Sequence, residues 1–139
     1  MFNLSSVIGL VSVAAMGLMA QPAFAETPNV VLASIQKDAM STPGFKGFSA
    51  ARGEQFFKAK HGKEWSCTSC HTDNPAAAGK HANTGKEIQP LAPSANAERF
   101  TDMAKAEKWF KRNCNDVLGR VCTPLEKGDV LSYLLTVKK

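Results

Sequence analysis

The feature that most limits the fold of this chain is the run Cys67-Thr68-Ser69-Cys70-His71. Two thiols three positions apart, followed directly by an imidazole, match the attachment motif of c-type haem. Each thiol adds to one vinyl group, and the histidine becomes the proximal iron ligand. A chain with this motif has to build a cleft for a flat cofactor around it. We therefore expect one covalently bound haem c, attached at Cys67 and Cys70, with its iron bound by His71.

Two other kinds of site use closely spaced cysteines. A redox dithiol normally accompanies a βαβ pattern, which this sequence lacks. A structural zinc site needs further cysteine or histidine ligands at close spacing. The remaining cysteines, Cys114 and Cys122, suit each other better than a shared metal ion. The motif therefore favours haem attachment over both alternatives.

The first 25 residues have the layout of a secretory signal peptide. Met1–Ala25 contains no charged side chain, is apolar from Val7 to Ala20, and ends in Ala23-Phe24-Ala25. That ending is a small-residue cleavage pattern, although only the α-amino group supplies positive charge before the apolar stretch. An uncleaved membrane anchor is the alternative. We predict cleavage after Ala25, a single domain over residues 26–139, a periplasmic location and no stable membrane insertion after cleavage.

The second cysteine pair is predicted to be a disulfide. An exported chain meets an oxidising compartment, where Cys114 and Cys122 can pair. A domain of this size buries a limited share of its surface and gains from a crosslink and a cofactor. The formal net charge of +5 comes without a dense Arg/Lys run. Nucleic acid is therefore not an expected partner, whereas docking to an acidic protein and a merely solvated surface both remain open.

Helix signals cover most of the mature chain and indicate an all-α domain. We predict a first helix from Pro28 to about Ala39 and a second helix that Ser49 can cap. In the second helix, Gly53 and Phe57 share one face, which would let another helix approach closely. Thr101 to about Asp116 predicts a third helix. The last helix follows Thr123-Pro124-Leu125-Glu126, which combines a cap, an initial proline and a capping-box glutamate. Between the second and third helices, residues 72–97 are rich in Pro, Gly and Ala, and little regular structure is expected there.

Five side chains were weighed as the second axial ligand of the iron: His61, His81, Met40, Met103 and Asn113. A solvated role suits the two histidines, and core packing suits Met103. On the third helix, Ala106, Trp109, Phe110 and Val117 share a face, and Asn113 interrupts this apolar stripe. A buried amide needs a partner, which the iron or an iron-bound ligand would provide. A helix-capping asparagine is the competing interpretation.

Four blocks of the sequence, in order, are CTSCH, TGKEIQPLAPSANAERFTD, EKWFKRNCNDVLGRVC and TPLEKGDVLSYLL, all within residues 52–137. They resemble the sphaeroides haem protein (SHP) family of monohaem c-type cytochromes, which is related to cytochrome c double-prime. The resemblance implies a class I cytochrome c fold with an additional N-terminal helix, one haem, and a disulfide beside the sixth ligand. The residue before the first disulfide cysteine is Asn in SHP and His in cytochrome c double-prime. This chain has Asn113 there, which places it with SHP.

The resemblance also implies how the iron is used. Asn113 would bind ferric iron and leave on reduction, opening a site for oxygen, nitric oxide or carbon monoxide. A neutral amide is a hard, weak ligand, acceptable to Fe(III) and poor for Fe(II). The expected electron donor is a dihaem cytochrome c. Four lysines near the motif could form its docking face, unless they only solvate a helix end: Lys58, Lys60, Lys63 and Lys80.

Three functions follow from these features. The first is electron transfer with redox-linked release of Asn113 and binding of a diatomic molecule. The second is simple electron transfer by a permanently six-coordinate haem. The third is an oxidoreductase that consumes oxygen or nitric oxide, against which the sequence shows no distal acid–base pair of the kind that peroxide cleavage needs. The presence of Asn113 favours the first.

Overall fold

Capping side chains set where the helices of this chain begin. The computed structural model describes residues 25–62 and 64–139. In these ranges the helices are α1 (Pro28–Ala39), α2 (Ala50–Lys58), α3 (Thr68–His71), α4 (Met103–Leu118) and α5 (Pro124–Thr136). A two-stranded antiparallel ribbon is formed by β1 (Gly79–Lys80) and β2 (Glu87–Ile88).

Four residues act as N-caps, as their types suggest. Thr27, Ser49, Asp102 and Thr123 each accept a hydrogen bond from the backbone N–H three positions further on. Before α5, Glu126 returns the bond by accepting from the Thr123 N–H at 2.7 Å, which completes a capping box. The predicted first helix, the Ser49 cap and the start signal of the last helix are therefore confirmed.

The prediction for α4 was wrong at its first residue. The sequence predicts a start at Thr101, but residue 102 is not yet helical. Its backbone is extended, with φ −155°, and its side chain caps the helix instead, so α4 begins at Met103. The helix continues to Leu118 because the residue that ends it, Gly119, takes a left-handed conformation with φ 74°. Glycine adopts that conformation without steric cost.

The segment 72–97 contains more order than predicted. Strands β1 and β2 pair Gly79 with Ile88 and Lys80 with Glu87. The buried Pro75 accepts hydrogen bonds through its carbonyl from the N–H groups of the two residues at 91 and 92, each at 2.9 Å. Backbone pairing of this kind cannot be seen from composition, because each partner lies in a Pro/Gly-rich stretch with no alternating pattern.

Helices α2 and α5 pack closely, as the Gly53/Phe57 face predicted. A Cβ atom on Gly53 would overlap the Asp129 carbonyl and lie 2.9 Å from the Val130 nitrogen. Phe57 is 1% exposed and contacts the ring of Tyr133, with centroids 5.6 Å apart. Only a glycine allows two helix backbones to come this close.

Asp129 is a buried carboxylate that stabilises the contact between α2 and α5. It is 4% exposed and accepts hydrogen bonds from the Ser49 N–H at 2.6 Å and from Arg52 Nε and Nη2 at 2.8 and 2.9 Å. A buried charge is tolerated when it is paired and hydrogen-bonded in this way. The contact therefore holds the start of α2 against the first half of α5.

Among the residues that the structure describes, the apolar interior forms two clusters that meet on α5. One lies between α1, α4 and α5, and the other lies between α2 and α5. Their buried members are Val31, Ile35, Ala106 and Leu131 in the first cluster, and Phe57, Val130, Tyr133 and Leu134 in the second. The cofactor cleft described below opens beside the second cluster.

The chain just before α1 is tied to the start of α4 through Glu26. Its N–H donates to the Thr101 carbonyl at 3.1 Å, and its carboxylate accepts from the Met103 N–H at 2.6 Å. The Met103 N–H is a first-turn donor that has no partner within the helix. Glu26 thus caps α4 together with Asp102.

The predicted signal peptide lies outside the described residues, apart from Ala25. Among the helices of residues 25–62 and 64–139, none combines the length and the apolar character needed to cross a membrane.

Candidate haem site

The haem-attachment motif lies on the single turn of α3. Cys67 precedes the helix, and Cys70 and His71 end it, so the three side chains are carried by one rigid turn. The turn is fixed by Ser66, which is buried: its N–H donates to Ser69 Oγ at 3.0 Å, and its Oγ lies 2.6 Å from Thr68 Oγ1. The two variable positions of the motif therefore lock its backbone.

Cys67, Cys70 and His71 line one cleft of about 720 Å³. Its walls come from α2, the α3 turn, segment 81–102, α4 and α5. The apolar part of the wall consists of Phe56, Phe57, Trp65, Ile88, Leu91, Phe100, Trp109, Phe110, Val130 and Leu134. Neither Cys67 nor Cys70 is joined to another cysteine.

Burial leaves the Cys67 thiol and the His71 imidazole uncharged in the folded chain. It raises the pKa of the Cys67 thiol to about 11 and lowers the pKa of His71 to about 4, with Arg99 adding to the second effect. An imidazole with so low a pKa is neutral at physiological pH and presents a nitrogen lone pair, the form in which histidine binds metals. The His71 ring lies near Phe57, with centroids 6.4 Å apart.

The β1–β2 ribbon covers the outer side of the α3 turn. A Cβ atom on Gly79 would overlap the Cys70 carbonyl and come within 3.1 Å of the His71 Cα. The Ala82 N–H donates to Cys70 Sγ at 3.3 Å. Gly79 is therefore a site residue that sequence reasoning missed, because one glycine in a glycine-rich loop carries no distinguishing signal.

Of the five residues weighed as the second axial ligand, only two line the cleft: Asn113 and His81. His61 is turned away, and its Nε2 donates to the Phe56 carbonyl at 2.9 Å. Met40 is 67% exposed after α1, and Met103 packs against the first core cluster.

His81 has a local partner that limits its use as a ligand. Its Nδ1 accepts a hydrogen bond from the Thr84 N–H at 3.3 Å. This bond engages the Nδ1 lone pair, so iron could bind at that nitrogen only if the bond broke. Within the described part of the chain, the Asn113 side chain has no such competing hydrogen bond.

Asn113 lies on the cleft side of α4, directly before the disulfide. The predicted apolar stripe holds for Ala106 and Val117, which are buried, and for the half-buried Phe110. Trp109 departs from it: the ring is 42% exposed at the cleft, and the Arg112 guanidinium carbon lies 5.6 Å from its centroid. Asn113 itself is exposed. The sequence therefore located the face correctly, but the expectation of a buried amide was wrong and less of this face is core than expected.

The predicted disulfide between Cys114 and Cys122 is present. The loop that it closes has a second fastening, a two-pronged ion pair from Arg120 Nη1 and Nη2 to Glu126 at 2.8 and 2.7 Å. Burial acts to raise the pKa of Glu126, but hydrogen bonds from Arg120 and the Thr123 cap outweigh it and lower that pKa. The end of α4 next to Asn113 is thus held covalently and electrostatically.

These residues fit a covalently attached haem. Two unpaired thiols for covalent attachment and a neutral imidazole for the iron, all on one turn, are the groups that c-type haem requires. The volume of the cleft lies in the range of cofactor sites, about 300–1,000 Å³, and aromatic and aliphatic side chains form much of its wall.

Comparison with known proteins identifies relatives that are cytochromes. Residues 43–134 match the family model described as "Domain of unknown function (DUF1924)". The chain is 48% identical over 103 residues to cytochrome c″ of Methylophilus methylotrophus, a match that covers 71% of this chain and 72% of that protein. The chain therefore belongs to the DUF1924 family and is a relative of this cytochrome c″.

A second member is the cytochrome c-type protein SHP of Cereibacter sphaeroides, 59% identical over 69 residues. That match covers 50% of this chain and about half of SHP, 53%. As a member of the SHP/cytochrome c″ family, the chain is a monohaem c-type cytochrome with one covalently bound haem c.

Two solved structures of the family share the fold. Oxidised cytochrome c″ of Methylophilus methylotrophus superposes with a TM-score of 0.72 at 43% identity, covering 81% of this chain and 95% of that one. Oxidised SHP, described as an oxygen-binding cytochrome c, gives 0.69 at 42% identity, covering 79% and 96%. The predicted class I cytochrome c fold with an additional N-terminal helix is confirmed.

Proposed function

We propose that Cys67 and Cys70 attach the haem, that His71 is the permanent iron ligand, and that Asn113 is a second ligand released on reduction. The protein would then transfer electrons and bind a diatomic molecule, such as oxygen or nitric oxide, in the ferrous state. When bound, the haem supplies a one-electron couple and a coordination position for that molecule. The observation that carries the proposal is that Asn113 and His71 line the same cleft.

The chemistry of the amide supports release. Asn113 offers a neutral oxygen, a hard ligand that interacts less well with ferrous than with ferric iron. His71 offers a nitrogen donor that suits both states. The fastening of residues 114–126 by the disulfide and the Arg120–Glu126 pair limits how far this end of α4 can move. Release of Asn113 therefore needs a change of side-chain rotamer or a small local shift, and not unfolding of the helix.

The test compares optical spectra of ferric and ferrous protein, with and without carbon monoxide. Wild type should be six-coordinate when oxidised, then high-spin and quick to take up carbon monoxide when reduced. Asn113→Ala should remove the ferric amide ligand while carbon monoxide binding persists. Asn113→His should retain a ligand in both states and slow carbon monoxide binding. The matched control is Asn115→Ala, an exposed position on the same helix that does not line the cleft.

The opposite result has a definite meaning. A low-spin ferrous spectrum that Asn113→Ala leaves unchanged would assign the second ligand to another residue. The protein would then be a simple electron carrier. His81→Ala would be the next variant to measure, since His81 is the other weighed candidate on the cleft wall.

We further propose that the protein works in the periplasm and receives electrons from a dihaem cytochrome c. Export is supported by the pattern of Met1–Ala25 and by the disulfide, which suits an oxidising compartment. Of the four lysines considered for docking, Lys58 is engaged with Glu54 at 2.6 Å, and Lys63 lies outside the described residues. Lys60 and Lys80 are exposed near the attachment turn and form no ion pair within the described ranges.

The docking proposal is tested by electron-transfer rates at two ionic strengths. Lys60→Glu with Lys80→Glu should slow reduction by the dihaem donor about tenfold at low salt, and the difference should shrink as salt screens the charges. Lys37→Glu, at the exposed end of α1, is the control and should leave the rate unchanged. Equal rates for all three proteins would place the docking surface elsewhere.

A further inference from the structure

Arg99 is a half-buried cation in the wall of the cleft. The ion pairs found among residues 25–62 and 64–139 do not include it. Taking a guanidinium out of water is costly unless an anion compensates it. The carboxylates that line the same cleft are all on exposed residues and leave Arg99 without an ion pair: Glu87, Glu98, Asp102 and Asp116.

The backbone of the preceding loop holds the Arg99 side chain in place. Its Nε donates to the Pro90 carbonyl at 2.9 Å, and its Nη2 donates to the Gln89 carbonyl at 2.7 Å. Asn96 Nδ2 donates to the same Pro90 carbonyl at 3.4 Å. A guanidinium has five N–H donors, so three remain for another acceptor. The two backbone carbonyls therefore fix the orientation of the Arg99 guanidinium before any ligand binds.

The backbone after Arg99 is also constrained. Phe100 takes a left-handed conformation with φ 57°, which is strained for a bulky residue. Its ring packs near Phe110, with centroids 6.1 Å apart. The strained turn therefore sends Phe100 into the core while Arg99 remains on the wall of the cleft.

Arg99 lies in the wall of the same cleft as His71, the proposed iron ligand. Burial lowers the pKa of Arg99. A positive charge near the iron favours the added electron of the ferrous state, unless a carboxylate neutralises it locally.

We propose that Arg99 binds a propionate carboxylate of the haem, through the guanidinium N–H groups that the Gln89 and Pro90 carbonyls leave unused. The inference rests on the haem attachment proposed above. Planar, two-pronged recognition of a carboxylate is the geometry that arginine provides and lysine does not. Lys86, Lys105 and Arg112 also line the cleft, but they are exposed, so their charges are more strongly screened.

The experiment measures the midpoint potential and the resonance Raman bending mode of the propionates in Arg99→Gln, Arg99→Lys and the control Lys108→Gln, which removes an exposed cation of α4 that does not line the cleft. Without Arg99, an uncompensated carboxylate stabilises ferric iron. Arg99→Gln should therefore lower the reduction equilibrium constant about tenfold, or about 59 mV for a one-electron couple. Arg99→Lys should keep the potential close to wild type, because the positive charge stays. It should shift the Raman mode, because lysine cannot donate two parallel hydrogen bonds to the carboxylate. Lys108→Gln should change neither the potential nor the Raman mode.

Arg99 could instead only brace the loop. Arg99→Gln would then lower stability and leave the potential and the propionate mode equal to those of Lys108→Gln, which overturns the proposal. If Arg99→Gln does not accumulate, Arg99→Lys decides alone, since an unshifted propionate mode in that variant also overturns it. Covalent attachment is judged separately, by whether the haem remains with wild-type protein in acid–acetone.

Discussion

Replacing Gly53 by alanine should force α2 and α5 apart. The new Cβ atom would overlap the Asp129 carbonyl and lie 2.9 Å from the Val130 nitrogen, where ordinary contact begins at 3.4 Å. Both obstacles are helix backbone, which cannot swing aside as a side-chain tip can. The two helices would have to separate by on the order of 1 Å.

Two opposing contributions set the change in the free energy of unfolding for Gly53→Ala. Alanine in a helix interior gains about 0.5–1 kcal/mol over glycine. Overpacking a well-filled contact costs about 1–3 kcal/mol, and this site belongs at the upper end because separation also lengthens the hydrogen bonds of Asp129. The net expectation is a loss of about 2 kcal/mol in the free energy of unfolding. For a domain of this size, that is about 8 °C in Tm.

Thermal and urea unfolding of oxidised holoprotein, followed by circular dichroism, would measure this loss. Gly128→Ala is the matched control, because it is also a helix glycine but its Cβ would meet the ring tip of Phe48. That ring can turn, so Gly128→Ala should cost less than Gly53→Ala. If Gly53→Ala is as stable as wild type or more so, the close backbone contact does not exist as described.

Three further predictions concern the site and its supports. Gly79→Ala should lower the haem content per polypeptide, measured by absorbance, because its Cβ would displace the attachment turn; a normal haem content would contradict this. Replacing Cys114 and Cys122 by serine should lower the unfolding free energy in urea by about 2.5 kcal/mol, and an unchanged midpoint would refute the estimate. Because the Arg120 contact helps to hold the pKa of Glu126 below 4.5, its contribution to stability is complete above that pH and is lost as pH falls through the lowered value. Glu126→Gln should therefore flatten the decline of Tm below pH 4.5, and an unchanged slope would count against it.

Features encoded by neighbouring residues were predictable. The attachment motif places its thiols and histidine on one turn whatever the rest of the chain does. The Ser49 and Thr123 caps are also local, since each bonds a backbone N–H three positions on. Gly53 could be read as a contact point because the last helix offered an apolar partner within the same small domain.

Features that depend on the path of the chain were not predictable. Asp129 contacts Ser49 and Arg52, which lie about eighty positions away in the sequence, and no pattern around Asp129 indicates these partners. Arg99 and Gly79 lie in or beside a loop whose shape is set by single backbone bonds. For Asn113, periodicity gave the face of the helix, but only the fold shows that this face lines the cleft with His71.

The contact of Glu26 with α4 would link the predicted cleavage of the chain to its packing. The predicted cleavage after Ala25 would make Glu26 the first residue of the exported chain, with its amino group at the Thr101 carbonyl and its carboxylate at the Met103 N–H. A carboxylate at a helix N-terminus is stabilising, by about 0.3–1 kcal/mol at an exposed site. Trimming by one residue more would remove both groups. The choice of peptide bond by the processing enzyme would then also decide how firmly the helix that carries Asn113 is anchored.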